Sequence, residues 1–395
     1  MKVKSNSVEV ISVDLLKPQT NTIYRGDNLE IMRAMPDSCV DLVYIDPPFF
    51  TQKDYKNIGG DRESVFGYED NFFDGFQDTK DFFEQHVQSD AKGLKAYLEW
   101  MRARVVELHR ILKPTGSFYL HLDHHAVHYM KVICDEIFGY DNFKNEIIWK
   151  RTVGGSNTSK KQYGVTTDTI LFYTKSKKNW HFNVQHTEYD ESYIKSHYSK
   201  ETEDGRKYQL DNLTAPSHNP NTIYEYKGYK PPENGWRWTK EKMKQMDKKG
   251  CVYFPESKSK RLRQIRFLDE QKGVPVSNLW IDIPPVNSQA KEDTGWPTQK
   301  PVALLERIIL ASSKEGDVVF DCFAGCGTSM HASQNLKRKW IGIDISPTAI
   351  EVNSKRLEET GAKVNVVDEN ELPVKLKSRA NQNHNVSEGI SESKI

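Results

Sequence analysis

Two short stretches of the 395-residue chain carry residue types that can do chemistry. In Tyr44-Ile45-Asp46-Pro47-Pro48-Phe49, a carboxylate follows an apolar run and precedes two prolines and an aromatic ring. A carboxylate at the C-terminal end of a strand lies where open α/β sheets bind ligands. Pro47 and Pro48 remove two N–H donors and stiffen the chain with carbonyl oxygens outward, and Phe49 supplies a flat face. Two rigid acceptors beside a ring suit an amino group on a planar heterocycle: the acceptors take its two N–H bonds while the ring stacks on the base. Taken alone, Asp-Pro-Pro reads equally as a simple turn.

The second stretch is Asp321-Cys322-Phe323-Ala324-Gly325-Cys326-Gly327-Thr328, at the end of one predicted strand and the start of a helix near Ser329. Glycines there allow a tight turn and close approach of a ligand, and the helix start offers N–H groups. The next predicted strand delivers Asp344, 17 positions after Gly327, close to the roughly 20-residue spacing at which a carboxylate meets ribose hydroxyls. A ligand carrying a nucleoside is implied. The turn lacks both the Gly-Lys-Ser/Thr ending of a phosphate loop and the third glycine of a dinucleotide fingerprint, which disfavours a pyrophosphate.

The elements that must position these residues are legible as apolar runs ending in carboxylates. Asn21–Tyr24 precedes Gly26-Asp27, Val40–Ile45 precedes Asp46, Ser117–Leu122 precedes Asp123, Asp317–Phe320 precedes Asp321, and Lys339–Ile343 precedes Asp344. Such near-continuous strands suit a parallel sheet buried on both faces. Helical spacing recurs between them: Leu29, Met32 and Met35; residues 94–112; Val302, Leu305 and Ile309 after Pro301; and a helix opened by Ser346-Pro347. The alternation predicts an α/β fold.

That regularity fails over residues 51–90, read as a loop insertion, and over residues 176–290, too long for a structureless loop and therefore read as an inserted domain. The polar, aromatic-free end of the chain, residues 366–395, reads as a disordered tail. Net charge is +1, but it is segregated: residues 1–140 carry 16 Lys and Arg against 22 Asp and Glu, residues 141–266 carry 25 against 15, and residues 267–395 carry 15 against 18. A basic middle suits a polyanion. With 17 Phe, 18 Tyr and 8 Trp the chain is not disordered throughout, and no apolar run approaches the span of a bilayer. Five scattered cysteines suit neither a disulfide framework nor a four-ligand zinc site, so reduced thiols and a cytoplasmic location are expected.

Asp46–Phe49 resembles the catalytic motif of the amino-methylating DNA methyltransferases, in which Asp, Asn or Ser precedes Pro-Pro and an aromatic. Phe323-x-Gly325-x-Gly327 resembles their S-adenosylmethionine motif. Catalytic motif first, then the basic insert, Gly-Trp-Pro-Thr-Gln-Lys-Pro at 295–301, and the cofactor motif last is the order of the circularly permuted β class. The resemblance covers residues 20–175 and 275–357. It implies a Rossmann-like methyltransferase fold with a mostly parallel twisted sheet, built from a catalytic half at 1–175 and a cofactor half at 291–365 around an inserted target-recognition domain at 176–290.

It further implies that Asp27 contacts the cofactor adenine, that Thr298 and Lys300 belong to the motif ahead of the cofactor turn, and that the turn and Asp344 hold the rest of S-adenosylmethionine. Double-stranded DNA is the implied partner, its target base flipped out onto Phe49; a homodimer and a companion restriction endonuclease are compatible arrangements. Asp46 at the first motif position favours adenine N6 over cytosine N4, the alternative. An RNA substrate and a catalytically idle DNA-binding subunit are the remaining readings. No Pro-Cys dipeptide is present, which argues against the cysteine-adduct route to cytosine C5. Phe49 stands where the family usually has Tyr, which keeps stacking and loses a hydroxyl.

Two further signals read as structural. His121, Asp123, His124, His125 and His128 resemble a metal cluster, but Asp123 is placed to start a helix, and no metal site is expected. Asp282-Ile283-Pro284-Pro285 mimics the catalytic motif without a strand ahead of it.

Overall fold

The computed structural model describes residues 18–49, 93–152, 163–287 and 289–371. The chain runs β1 Thr22–Arg25, α1 Asn28–Ala34, β2 Val40–Ile45, α2 Leu94–Ile111, β3 Leu112–Leu122, α3 Val127–Phe138, β4 Phe143–Lys150 and β5 Thr167–Thr174. It continues β6 His186–Thr187, α4 Glu191–His197, β7 Lys200–Glu201, β8 Lys207–Asn212, α5 Lys240–Lys248, β9 Val252–Tyr253, β10 Arg263–Phe267, β11 Val274–Pro275 and β12 Leu279–Trp280. Then come α6 Val302–Ser312, β13 Val318–Asp321, α7 Thr328–Asn335, β14 Lys339–Asp344, α8 Pro347–Glu358 and β15 Asn365–Asp368.

Contacts divide the chain into two units, one made of residues 1–185 and 277–395, the other of residues 186–276. In the first, nine strands form one sheet in the order β12-β4-β5-β3-β2-β13-β14-β1-β15. Among the described strands of this sheet only β5 runs against its neighbours. This is a doubly wound, mostly parallel sheet of the Rossmann-like type, as the alternation of apolar strands and helices predicts. β2 leads on to β3 on one side and β13 to β14 on the other, so the chain changes direction between β2 and β13, the switch point at which such sheets open a crevice.

Most of the strands are buried on both faces. Val40, Leu42, Val43, Ile45, Phe320, Ile341 and Ile343 are fully inaccessible, and Leu98, Met101, Val105 and Leu108 of α2 close one side. The end of α6 is tied down twice: the hydroxyl of Ser313, just past the helix, donates to the Ile309 carbonyl at 2.6 Å, and the Asn183 backbone N–H donates to the Ala311 carbonyl at 2.7 Å. Tyr119 of β3 lies 2.7 Å, hydroxyl to hydroxyl, from Ser312 at the end of α6.

The second unit has a four-stranded antiparallel sheet, β7-β8-β10-β9, and a two-stranded one, β11-β6. Its core is aromatic, with Tyr226, Tyr229 and fully buried Trp236 packed with Leu213, Met243 and Leu262. The Trp236 indole N–H donates to the Tyr224 carbonyl at 2.8 Å, which satisfies its one polar atom.

Three expected boundaries move. The irregular insert is 186–276 rather than 176–290, because β12 returns to the main sheet, Leu279 and Trp280 pairing with Ile148 and Trp149. β12 is also the strand that the sequence does not reveal ahead of Asp282, whose carboxylate is taken by Arg307, 2.9 Å to one oxygen. The tail does not begin at 366: Val366, Val367 and Asp368 belong to β15, which pairs with β1. The loop insertion at 51–90 and residues 372–395 lie outside the described residues.

Trp340 of β14, fully buried, anchors a satellite core with Ile23 of β1, Met330 of α7 and Leu357 of α8. Trp340→Ala is expected to lower the unfolding free energy by about 3–5 kcal/mol, measured by urea denaturation.

Candidate functional site

Register brings the two chemical stretches together. Val319 and Phe320 of β13 pair with Leu42 and Val43 of β2, so Asp321 falls beside Tyr44, two residues before Asp46. On the other side Asp321 pairs with Gly342, and Arg25 of β1 pairs with Asp344. The carboxyl ends of β1, β2, β13 and β14 thus deliver Asp27, Asp46, Asp321 and Asp344 to one cleft of about 320 Å³. Pro47, Pro48, Phe49, Thr298, Lys300, Phe323, Ala324, Gly325 and Thr328 line the same cleft. Of the predicted site residues only Gly327 is not in its wall.

The turn after β13 is held from several directions. Asp321 accepts the Phe323 N–H at 2.9 Å and the Ser329 hydroxyl proton. Ala324 N–H donates to the Ile343 carbonyl at 3.0 Å, and Gly325 N–H to Asp344 Oδ2 at 2.8 Å. The Cys322 carbonyl accepts from the Asn28 amide at 2.8 Å. Arg356 of α8 reaches across to the Thr328 hydroxyl at 3.0 Å and the Cys326 carbonyl at 3.3 Å. Gly327 has φ +80°, and a Cβ there would sit 2.1 Å from Asn353 Oδ1, so this position requires glycine on both counts. Its part in the cleft is the shape of the turn.

Asp344 has both oxygens committed to backbone, Oδ2 to Gly325 and Oδ1 to Ser346 N–H at 2.9 Å. It therefore builds the turn and holds Ser346, the residue that caps α8, while forming part of the cleft wall. Burial pushes its carboxyl above the ordinary range. Asp27 caps α1, its Oδ1 2.7 Å from Leu29 N, and meets Arg104 at 3.4 Å. Its own N–H donates to Glu369 just past β15 at 2.8 Å.

Lys300 is placed differently from the expectation of a cofactor-side residue. Its ammonium bonds Asp46 Oδ2, lies 3.4 Å from the Thr298 carbonyl and stands 5.0 Å from the Phe49 ring centre. The partners are 254 residues apart, and no local pattern signals the pair. Trp100 and Arg104 of α2 also line the cleft, the guanidinium 3.7 Å from the Trp100 ring centre and Trp100 5.5 Å from Phe323. Their i, i+4 spacing reads in sequence as one helix face. Tyr44, Trp296 and Asn28 are further wall residues that sequence reasoning left out.

Four carboxylates against two cations, Lys300 and Arg104, make an acid-lined, partly aromatic cleft. Such a wall suits a ligand with positive charge and a planar ring, and repels phosphate. The donor set therefore fits a nucleoside bearing a cationic group. The Asp123 cluster differs in kind: Asp123 accepts the His125 N–H at 2.9 Å on one oxygen and lies 2.7 Å from His125 Nδ1 on the other.

Residues 40–355 match the family model described as DNA methylase, of the N6/N4 methyltransferase type. The chain is 31% identical over 337 residues to the type II methyltransferase M.EcaI of Enterobacter cloacae, covering 85% of this chain and 68% of that one. It is 29% identical to the Mod subunit of the type III restriction-modification enzyme StyLTI of Salmonella typhimurium, covering 82% of this chain and about half, 51%, of the relative. It is 27% identical to the DNA adenine methyltransferase YhdJ of Escherichia coli K12, covering 86% and 83%.

Burial raises the Asp321 carboxyl from its ordinary 3.8 to about 7. Between those values the folded chain binds a proton that the unfolded chain releases, so this group costs stability as pH rises from 4 to 7, and the cost is complete above 7. Asp321→Asn keeps an acceptor for Phe323 and a partner for Ser329. It is expected to raise the urea midpoint at pH 8, with the gain vanishing near pH 4; an equal gain at both pH values would contradict a buried, ionising carboxyl. The fold, the meeting of both motifs at the switch point, and a family match across residues 40–355 establish that this chain belongs to the N6/N4 DNA methylase family.

Proposed function

We propose that the protein transfers a methyl group from S-adenosylmethionine to the N6 amino group of a flipped-out adenine in double-stranded DNA. The observation that carries this reading is the convergence of Asp46–Phe49 with the Asp321–Thr328 turn in one acid-lined cleft. The turn, Asp27, Thr298 and Asp344 would hold the cofactor. When bound, S-adenosylmethionine supplies an activated methyl on a sulfonium, a cation that the carboxylate wall suits.

The chain's own residues then have to position and polarise the amine, whose lone pair is delocalised into the ring. The Asp46 carboxylate and the Pro47 carbonyl accept the two amine hydrogens and favour the pyramidal nitrogen and its developing positive charge. Lys300 occupies Oδ2 of Asp46, which fixes the carboxylate plane and leaves Oδ1 for the amine. Phe49, braced 5.8 Å from His121, stacks on the base that a duplex would otherwise hide. No covalent nucleophile is needed.

Adenine is favoured over cytosine N4 by Asp at the first motif position, and a relative named as a DNA adenine methyltransferase supports it. The insert at 186–276 is assigned to target recognition, as its basic composition suggests. A Mod subunit among the relatives makes a companion endonuclease a reasonable partner. No helix among the described residues is long and apolar enough to cross a membrane, and a cytoplasmic place beside DNA follows from the same reading.

Incubation with labelled cofactor and unmethylated genomic DNA, followed by digestion to nucleosides, should yield N6-methyladenine. N4-methylcytosine would overturn the base assignment, and no transfer the activity. Asp46→Ala should lower transfer at least about 10²- to 10³-fold with cofactor affinity retained. Asp344→Ala, which frees Gly325 and Ser346, should weaken cofactor binding roughly 10- to 100-fold by calorimetry; unchanged affinity would remove its assigned role.

Neutralising the lysines of α5, Lys240, Lys242, Lys244 and Lys248, tests the insert. DNA affinity should fall and its dependence on salt flatten, with cofactor affinity unchanged. An unaltered salt slope would mean that this helix is only a solvated face.

A further inference from the structure

Behind Asp46 one face of the sheet buries a polar chain of which the transfer reading uses only the His121 ring, as a brace for Phe49. Tyr44 of β2 pairs with Tyr119 of β3, so His121, two residues on, shares its face. His121 pairs with Ile170 of β5, which puts Asp168 on that face as well. The Tyr44 hydroxyl lies 2.9 Å from His121 Nδ1, and His121 Nε2 lies 3.3 Å from Asp168 Oδ2. Arg151 Nε closes the chain 3.1 Å from Asp168 Oδ1. Tyr44, His121 and Asp168 are 2%, 0% and 2% exposed, whereas the Arg151 side chain is half-open to solvent. The His121 ring is fixed between Phe49 at 5.8 Å and Trp149 at 5.7 Å, the latter perpendicular to it.

The polarity of this chain follows from its end. Burial works against ionisation of Asp168, but the His121 bond and the charges of Lys300 and Arg151 hold its carboxyl below the ordinary range. A carboxylate only accepts, so His121 donates from Nε2. A ring that donates there and carries no second proton accepts at Nδ1 and takes the Tyr44 O–H, whereas a doubly protonated ring would donate at both nitrogens and turn that hydroxyl outward.

We propose that Asp168 and His121 are positioning residues that hold the Tyr44 proton turned inward, away from Asp46, so that the free Asp46 oxygen stays available to the target amine. This rests on the amine-transfer reading above. Tyr44 shares the cleft wall with Asp46; with its proton turned outward it would donate towards the acceptors that the amine needs. The rigid placement of Phe49 on His121 is a second product of the same buried ring.

Asp168→Asn tests the direction with almost no change of shape. Its amide N–H can donate to Nε2, which moves the imidazole proton to Nδ1, makes His121 the donor to Tyr44 and turns the hydroxyl outward. The expected loss in kcat is about 30-fold, with the KM for cofactor unchanged; Tyr44→Phe should cost about threefold, and the double variant no more than Tyr44→Phe alone. Multiplying losses would overturn the proposal, because a merely structural Asp168 would harm both backgrounds alike.

The nitrogen-15 spectrum of the wild-type chain, with His121 assigned by its loss in His121→Gln, gives a reading independent of activity and of whether Asp168→Asn folds. Nε2 should carry the proton and Nδ1 be bare; a proton on Nδ1 would overturn the proposal. The expected tautomer in a protein that transfers no methyl would sink the functional reading alone. Methyl transfer with the opposite tautomer would sink this inference alone.

Discussion

The parallel pairing of β2 with β13 is the contact on which the cleft depends. It joins strands whose residues stand more than 270 positions apart, Leu42 beside Val319 and Val43 beside Phe320. Both strands end within about a residue of one another, so the loop after each emerges on the same side and at the same height. Because a parallel sheet presents all of its carboxyl ends on one edge, the acidic residues that close four separate strands become neighbours without any of them being neighbours in sequence. The apolar content of these strands, buried on both faces, makes the pairing rigid enough to set distances at the edge.

Concentrating carboxylates has an electrostatic cost that the surroundings offset unevenly. Asp46 and Asp27 meet cations, Lys300 and Arg104. Asp344 is held by backbone N–H groups. Asp321, fully enclosed with a hydroxyl and one N–H, is the least compensated and has its carboxyl raised to about 7. A pocket in this state is poised for positive charge: a bound cation would relieve repulsion that the free protein carries.

Much of this was legible in the sequence, for an identifiable reason. Where a strand is buried on both faces and stops at a carboxylate, apolar run and chemical residue are read in one glance, and Val40–Ile45 with Asp46 is the clearest case. β3 begins at Leu112 rather than at the expected Ser117, because Lys113-Pro114-Thr115-Gly116 carries no strand alternation and forms the irregular start of a strand whose register shifts against β2. β12 is two residues long and has no period to find. The insert is invisible as a fold because its strands are short and its core is built on scattered aromatics such as Trp236. Lys300 with Asp46, and Tyr44 with His121 and Asp168, are tertiary pairings across strands and loops, which one sequence alone does not encode locally.

β1 occupies an inner place in the sheet, between β14 and β15, although it is the first described strand to leave the ribosome. Both of its hydrogen-bonding neighbours lie more than 300 residues further on. At synthesis rates of roughly 5–20 residues per second, Ile23 and its flanking strand edges wait on the order of tens of seconds for partners. A nascent chain of this protein therefore carries the exposed apolar edges of β1 until β14 and β15 have been made, whereas β2, β3, β4 and β5 find one another before the insert is synthesised. High contact order of this kind slows folding and lengthens the exposure of those edges, so the closing of β1 between β14 and β15 is the step of assembly most open to aggregation.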